Sequence, residues 1–314
     1  MKPASPGASP SRLPDSDDPR TRLTGIGLIC VAFVLFTLLD TTVKWLNHTV
    51  HPLEIAWARY AGQFVLSFLV LNPWSTPGFW RTRRLGLQIT RSLLLVGTTL
   101  GNFFALQYLQ LDQTMSITFS TPFLVALFAG PLLGEWIGVH RWLAIMVGFA
   151  GILIIVQPST QGLHPAVLAS LGGALCYAFY NISTRMLAAT DSTATTMFYT
   201  SFVGTAVLTV PLPWFWSVPG EALVIGGLSL LGIFGGLGHL LVVMAHRRAP
   251  AAVLSPFLYT QMIWMMLSGW LIFHQTPDTP TLIGAGIVIC SGLYLLWRER
   301  VRHATRSLEA NLGE

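Results

Sequence analysis

The chain has 314 residues, 53% of them apolar and only 10% charged, with a mean hydropathy of +0.61. A soluble domain carries roughly 25% charged residues, so a water-soluble fold of this size could not cover its surface. The net charge of +5 implies no nucleic-acid partner, because the positions of the basic residues account for it.

Residues 1–22 are rich in Pro, Ser, Asp and Arg without periodicity, and are expected to form a disordered cytoplasmic tail. The first apolar run begins at Leu23, too long for the core of a cleaved signal peptide. About 20 apolar residues cross a bilayer core. That rule predicts ten spans, at 23–46, 53–72, 86–108, 114–134, 140–157, 165–187, 195–215, 222–246, 251–274 and 279–297, with a second tail over 298–314. Short connections hold turn residues such as Asn72-Pro73 and Thr276-Pro277-Asp278, and no extramembrane domain fits between the spans.

Of the 18 Lys and Arg residues, 15 fall in the two tails and the even-numbered loops, and the odd loops hold none. Positive charge marks the cytoplasmic side, so both termini are expected in the cytoplasm of a multi-pass protein of the cell (inner or plasma) membrane.

A proline-centred stretch occurs twice, Ser120-Thr121-Pro122-Phe123-Leu124 and Leu254-Ser255-Pro256-Phe257-Leu258, with the prolines 134 residues apart. Proline removes a backbone donor from a helix, so each is expected to kink a span and act as a hinge or a packing bend. Asp40-Thr41-Thr42-Val43-Lys44-Trp45-Leu46 and Asn181-Ile182-Ser183-Thr184-Arg185-Met186-Leu187 end the first and sixth spans. Five spans per half makes the second half enter from the opposite side. The fold expected is an all-α integral membrane protein with ten transmembrane helices as two inverted five-helix repeats, the pattern of many transporters.

Ionisable groups inside spans are costly and therefore functional candidates. Asp40 and Lys44 stand four apart on one helix face and can pair. Lys44 and Glu54 also suit interfacial anchors, and Arg91 suits a snorkelling one. Arg59 lies deeper, and either pairs with Asp40 or binds an anionic substrate group. Asp40, Glu54 and His239 are candidate proton carriers. Uncharged candidates for the walls of a cavity are Asn102 and Tyr108 on the third span, with Gly101 and Ala105 on the same face. Tyr177 and Asn181 on the sixth, His239 on the eighth, and Tyr259 and Gln261 on the ninth complete the set. Cys30, Cys176 and Cys290 lie in apolar runs without ligand spacing, and no metal or cofactor motif is present.

The order of several fragments resembles the EamA-type members of the drug/metabolite transporter superfamily. They include Glu54-Ile55-Ala56-Trp57-Ala58-Arg59, Arg91-Ser92-Leu93-Leu94, Thr121-Pro122-Phe123 with Leu133-Gly134-Glu135, Gly148-Phe149-Ala150-Gly151, Ile283-Gly284-Ala285 and Ser291-Gly292-Leu293-Tyr294. His274-Gln275 departs from it, standing where a glycine and an acid are expected. The resemblance implies two repeats, at 23–157 and 164–297, around a central cavity. It also implies transport of small metabolites such as amino acids, nucleosides, riboflavin or S-adenosylmethionine.

The function expected is a secondary transporter working by alternating access, without a nucleotide-binding domain, as a monomer or homodimer. The alternative is an integral-membrane enzyme or flippase acting on a lipid-linked substrate, for which Glu135 and His140 are the available polar residues. A channel or a receptor fits less well, because no filter signature and no signalling domain are present.

Overall fold

The computed structural model describes residues 19–71, 78, 80–133, 139–157, 164–187, 190–217, 220–246, 248–249 and 251–312. Among these, every regular element is a helix. The first half holds α1 (Pro19–Leu46), α2 (Pro52–Leu71), α3 (Leu85–Ala105), α4 (Leu111–Thr118), α5 (Thr121–Leu133) and α6 (Val139–Val156). The second holds α7 (Pro165–Leu187), α8 (Thr193–Thr209), α9 (Leu212–Phe215), α10 (Ala222–His246), α11 (Ala251–Leu254), a 3-10 turn (Ser255–Tyr259), α12 (Thr260–Phe273) and α13 (Thr279–Leu312). Three of them, over Arg20–Leu46, Pro165–Leu187 and Ala222–His246, are each long and apolar enough to cross a membrane.

Local chemistry sets the ends. Pro52 and Pro165 open α2 and α7, where a missing N–H costs nothing. Ser192 caps α8 by accepting from the Thr195 N–H at 3.1 Å. The chain leaves α12 through His274, which adopts the left-handed φ of +53° that glycine takes without strain. This is the position at which the resemblance leads one to expect glycine.

Several expectations need correction. Arg20 and Arg22 belong to α1 and not to the tail, while residues 1–18 lie outside the described residues. The segment from 298 continues α13 as far as Leu312. Pro122 does not kink a continuous helix, because the apolar stretch 114–134 is two helices and Pro122 sits in the first turn of α5. There it displaces no helical hydrogen bond. Pro256 likewise stands at the start of the 3-10 turn that separates α11 from α12. A proline does stand in the interior of α5, at Pro131.

The halves are interleaved. The most extensive helix contacts are α3 on α7, α1 on α10 and α6 on α13, followed by α2 on α10 and α2 on α8. Every one of these joins one half to the other. Glycine makes the tightest crossing possible. A Cβ built on Gly62 of α2 would stand 2.8 Å from the Cα of Gly232 on α10, so the two backbones touch.

The connections ahead of α3 and α8 are also joined. Thr82 Oγ1 and Gln88 Nε2 donate to Asp191 Oδ2 at 2.5 and 2.7 Å. Burial alone would raise the Asp191 pKa, but hydrogen bonds from Thr82, Gln88 and the Arg83 backbone, with the charge of Arg84, hold the carboxyl below its usual range.

Two outcomes follow from these contacts. Gly62→Ala should force α2 and α10 apart and cost about 1–3 kcal/mol by overpacking, read as a lower thermal midpoint and a smaller monodisperse fraction. A depressed pKa makes the Asp191 contribution complete above the unfolded value of about 3.9 and lost as pH falls below it. The midpoint difference between the wild type and Asp191→Ala should therefore stay constant from about pH 5 to 8 and close below about pH 4; a difference that peaks at acidic pH would contradict the contact.

Candidate substrate cavity

A cavity of about 180 Å³ lies where α1, α2, α3, α4, α7, α10 and α12 converge. Its walls are mostly apolar, with Phe33, Phe36, Phe103, Met115 and Met265 prominent, and Asp40 and Arg59 stand among them. Apolar walls with a few placed polar groups are the usual build of a small-molecule site.

The α3 wall repeats at helical spacing, with Leu95, Thr98, Thr99, Asn102, Phe103 and Leu106 along one stripe. Asn102 Nδ2 donates to Asp40 Oδ1 at 3.0 Å, and Arg59 Nη1 donates to Thr99 Oγ1 at 2.5 Å. Thr99 is also 3.0 Å from the Tyr60 hydroxyl. Arg59 spreads over the rings of Tyr60 and Phe103, 5.2 and 5.9 Å from their centroids. The charge of Arg59 reaches Asp40, but the two form no ion pair, and each holds a neutral partner instead. This differs from the direct pair open on the sequence.

Three lining side chains carry buried polar atoms without a hydrogen-bond partner: Arg59 Nε, His239 Nε2 and Ser170 Oγ. Buried polar atoms are normally satisfied, so these three unpartnered atoms mark side chains of the lining with hydrogen-bonding capacity left unused. His239 is otherwise held edge-on to Phe36, with ring centroids 5.1 Å apart.

The cavity brings together Asp40, Arg59, Asn102, Tyr177, His239 and Gln261. Three other candidates lie away from it. Tyr108 falls in the turn beyond α3 and is 59% exposed, beside Phe104 and His164. Asn181 donates to the Tyr177 carbonyl of its own helix at 2.7 Å. Tyr259 packs on Phe119 and points its hydroxyl at Gly292 of α13.

Lys44 and Glu54 also differ from expectation. Lys44 is buried and does not pair with Asp40. Its Nζ donates to the Leu109 and Leu106 carbonyls at 2.6 and 3.3 Å, while Asn47 Nδ2 donates to the Phe103 carbonyl at 2.9 Å. Together they satisfy carbonyls at the C-terminal end of α3, where a cation also suits the helix dipole. Glu54 is fully buried and accepts from the Ser217 N–H and hydroxyl at 3.1 and 2.9 Å.

Sequence reasoning missed Thr98, Thr99, Thr114, Thr118 and Ser170 in the lining. The α3 stripe could have been found from its period. Arg91 was assigned to the interface, yet it is only 4% exposed.

A bundle of apolar helices enclosing a charged, hydrogen-bonding cavity is the build of a membrane transport protein. The chain belongs to the EamA-like transporter family, whose family model matches residues 23–157 and again 164–297. It is similar to the S-adenosylmethionine uptake transporter of Rickettsia felis, 27% identical over 91% of this chain and 96% of that protein. It is also similar to the riboflavin transporter of Vibrio cholerae, 27% identical over 78% and 85% of the two chains. The pseudopaline exporter of Pseudomonas aeruginosa is 26% identical over 87% and 95%. A solved crystal structure shares the fold with a TM-score of 0.62 at 15% identity, covering 89% of this chain and 98% of its own. The protein is thus a multi-pass membrane transporter of small metabolites within the drug/metabolite transporter superfamily, and not an enzyme. The lipid-linked enzyme alternative falls with that membership. Of its two residues, His140 is exposed on α6 and Glu135 lies outside the described residues.

Lys44→Met should remove the donors at the end of α3 without touching the cavity. The expected result is a loss of about 1–3 kcal/mol of stability, with the solute concentration for half-maximal transport unchanged; a shift in that concentration would place Lys44 in the binding path.

Proposed function

We propose that the protein is a secondary transporter that carries a small metabolite across the cytoplasmic membrane by alternating access. Ten spans form two inverted five-helix repeats, with both termini in the cytoplasm. The observation that carries this reading is the cavity itself. Both halves build it, and it holds an arginine and an acid that form no ion pair with each other.

The pattern of helix contacts supports the inverted repeat. Exchanging the first half for the second turns the α3–α7 contact into α10–α1 and the α2–α10 contact into α8–α3. The α2–α8 and α6–α13 contacts map onto themselves. The clustering of 15 of 18 basic residues toward the two chain ends and around the even-numbered connections supports the orientation, although several of them stand on helix ends such as Arg20 and Arg22 on α1. The helix breaks before Pro122 and at Pro256 adjoin the lining residues Thr118 and Leu258, so they serve as the points at which each half flexes. Of the candidate proton carriers, Asp40 and His239 line the cavity and Glu54 does not.

The solute is a small amphipathic metabolite of the amino-acid, nucleoside or vitamin kind. Its anionic group sits at Arg59 and its apolar part lies against Phe33, Phe36 and Met115. The names of the relatives make S-adenosylmethionine and riboflavin the first solutes to test. Purified protein in liposomes should accumulate one labelled metabolite from a panel containing both, against protein-free vesicles. For that solute, Arg59→Gln should fold and raise the half-maximal concentration roughly tenfold or more, the worth of a charged hydrogen bond. Full transport by the variant would remove Arg59 from binding, and failure of every solute would remove the transport reading.

A further inference from the structure

Arg91 lies on α3 eight residues before Thr99, about 12 Å along the helix at 1.5 Å per residue. It shares the stripe of Leu95, Thr98 and Asn102, and it points toward the end of α3 that we read as cytoplasmic. Its guanidinium is buried and uses all three nitrogens. Nε donates to Thr184 Oγ1 at 2.6 Å, Nη1 to Thr200 Oγ1 at 2.7 Å and Nη2 to the Tyr180 hydroxyl at 2.6 Å. The Tyr180 ring lies 4.3 Å from the guanidinium carbon. The partners of Arg91 are hydroxyls of Thr184, Thr200 and Tyr180, and none is a carboxylate.

A buried cation is normally held by a carboxylate, because neutral hydroxyls offset only part of its lost hydration. The shell around Arg91 is therefore an incomplete one. Thr184 and Thr200 already donate to carbonyls of their own helices, so each presents a lone pair that an incoming anion can replace. The partition from the central cavity is thin. Tyr177 lines that cavity and stacks on Tyr180, with ring centroids 5.7 Å apart and planes 13° from parallel.

We propose that Arg91 is a second anion station, which receives the carboxylate or phosphate group of the solute after Arg59 releases it, with the Tyr177–Tyr180 stack as the partition between the two. The inference rests on the reading of the central cavity as the solute site. Two cations on one path, each held by neutral groups in the resting state, let an anionic group move inward by exchange of partners without crossing an uncompensated apolar gap.

The test reads binding and not transport. Full-length protein in lipid nanodiscs is titrated with sodium acetate or sodium phosphate against sodium chloride at equal ionic strength, and the thermal midpoint is followed. Arg59→Gln should keep an anion-specific rise in midpoint, and Arg59→Gln with Arg91→Gln should lose it or need at least tenfold more anion. Acetate as the effective ion assigns a carboxylate station, and phosphate alone assigns a phosphate station. Tyr180→Phe in the Arg59→Gln background removes one competing acceptor and should tighten the anion response several-fold. Loss of all anion response in Arg59→Gln alone would overturn the proposal, as would a Tyr180→Phe variant that is merely less stable with its anion response unchanged. Normal liposome transport beside no Arg91-dependent response would refute the second station only. An intact response beside no transport of any solute would refute the transport reading and leave the station standing.

Discussion

Close backbone contact between glycines of opposite halves governs the geometry of the interior. Gly62 against Gly232 brings α2 onto α10, and Gly101 against Gly173 and the Ala169 carbonyl brings α3 onto α7. The first crossing lays Arg59 across Gly235, where an added Cβ would stand 3.4 Å from its Nε. The second sets the Thr98 and Asn102 stripe opposite Tyr177. Larger residues would hold these helices apart and dissolve the arrangement of polar groups. In an apolar medium those groups have no water to fall back on.

Within that frame three interior cations are accommodated in three ways. Lys44 is placed at a helix end whose carbonyls need donors, and its role is to tie α1 to α3. Arg59 has one hydroxyl, two aromatic faces and an unpartnered Nε. Arg91 has a hydrogen bond on each guanidinium nitrogen, but only to neutral hydroxyls. The progression runs from a cation that is structurally committed to one that is half committed and one that is held by exchangeable partners. Residue type alone does not separate these roles; what stands opposite each group does.

The same distinction explains what could be read from the sequence. Apolar runs of about 20 residues mark helices because the bilayer demands them, and the ten predicted stretches are helical here, some in two or three pieces. Pro122 and Pro256 mark disruption correctly, but a lost donor does not say whether a helix bends or stops and restarts. Arg59, Asp40, His239 and Gln261 stood out because polar groups are rare in such runs. The rotation of each helix was not legible. Gly101 shares a face with Asn102 in the sequence, and it is the contact with α7, so the open face of α3 is turned away from it and Tyr108 falls beyond the helix end. Asn181 and Tyr259 were misplaced for the same reason, since their helix faces are set by crossings that only the assembled bundle defines.

The interleaving of the halves bears on how the chain is made. Helix α1 has its principal partner in α10, which emerges roughly 180 residues later; at about 5–20 residues per second that is a wait of roughly 10 to 35 seconds. Until α3 and α10 arrive, α1 stands in the membrane with Asp40 lacking Asn102 and with Phe36 lacking His239. The packing of the first half is thus completed only by the second, and in the seconds between its insertion and that completion its polar groups lack the partners that the assembled bundle supplies.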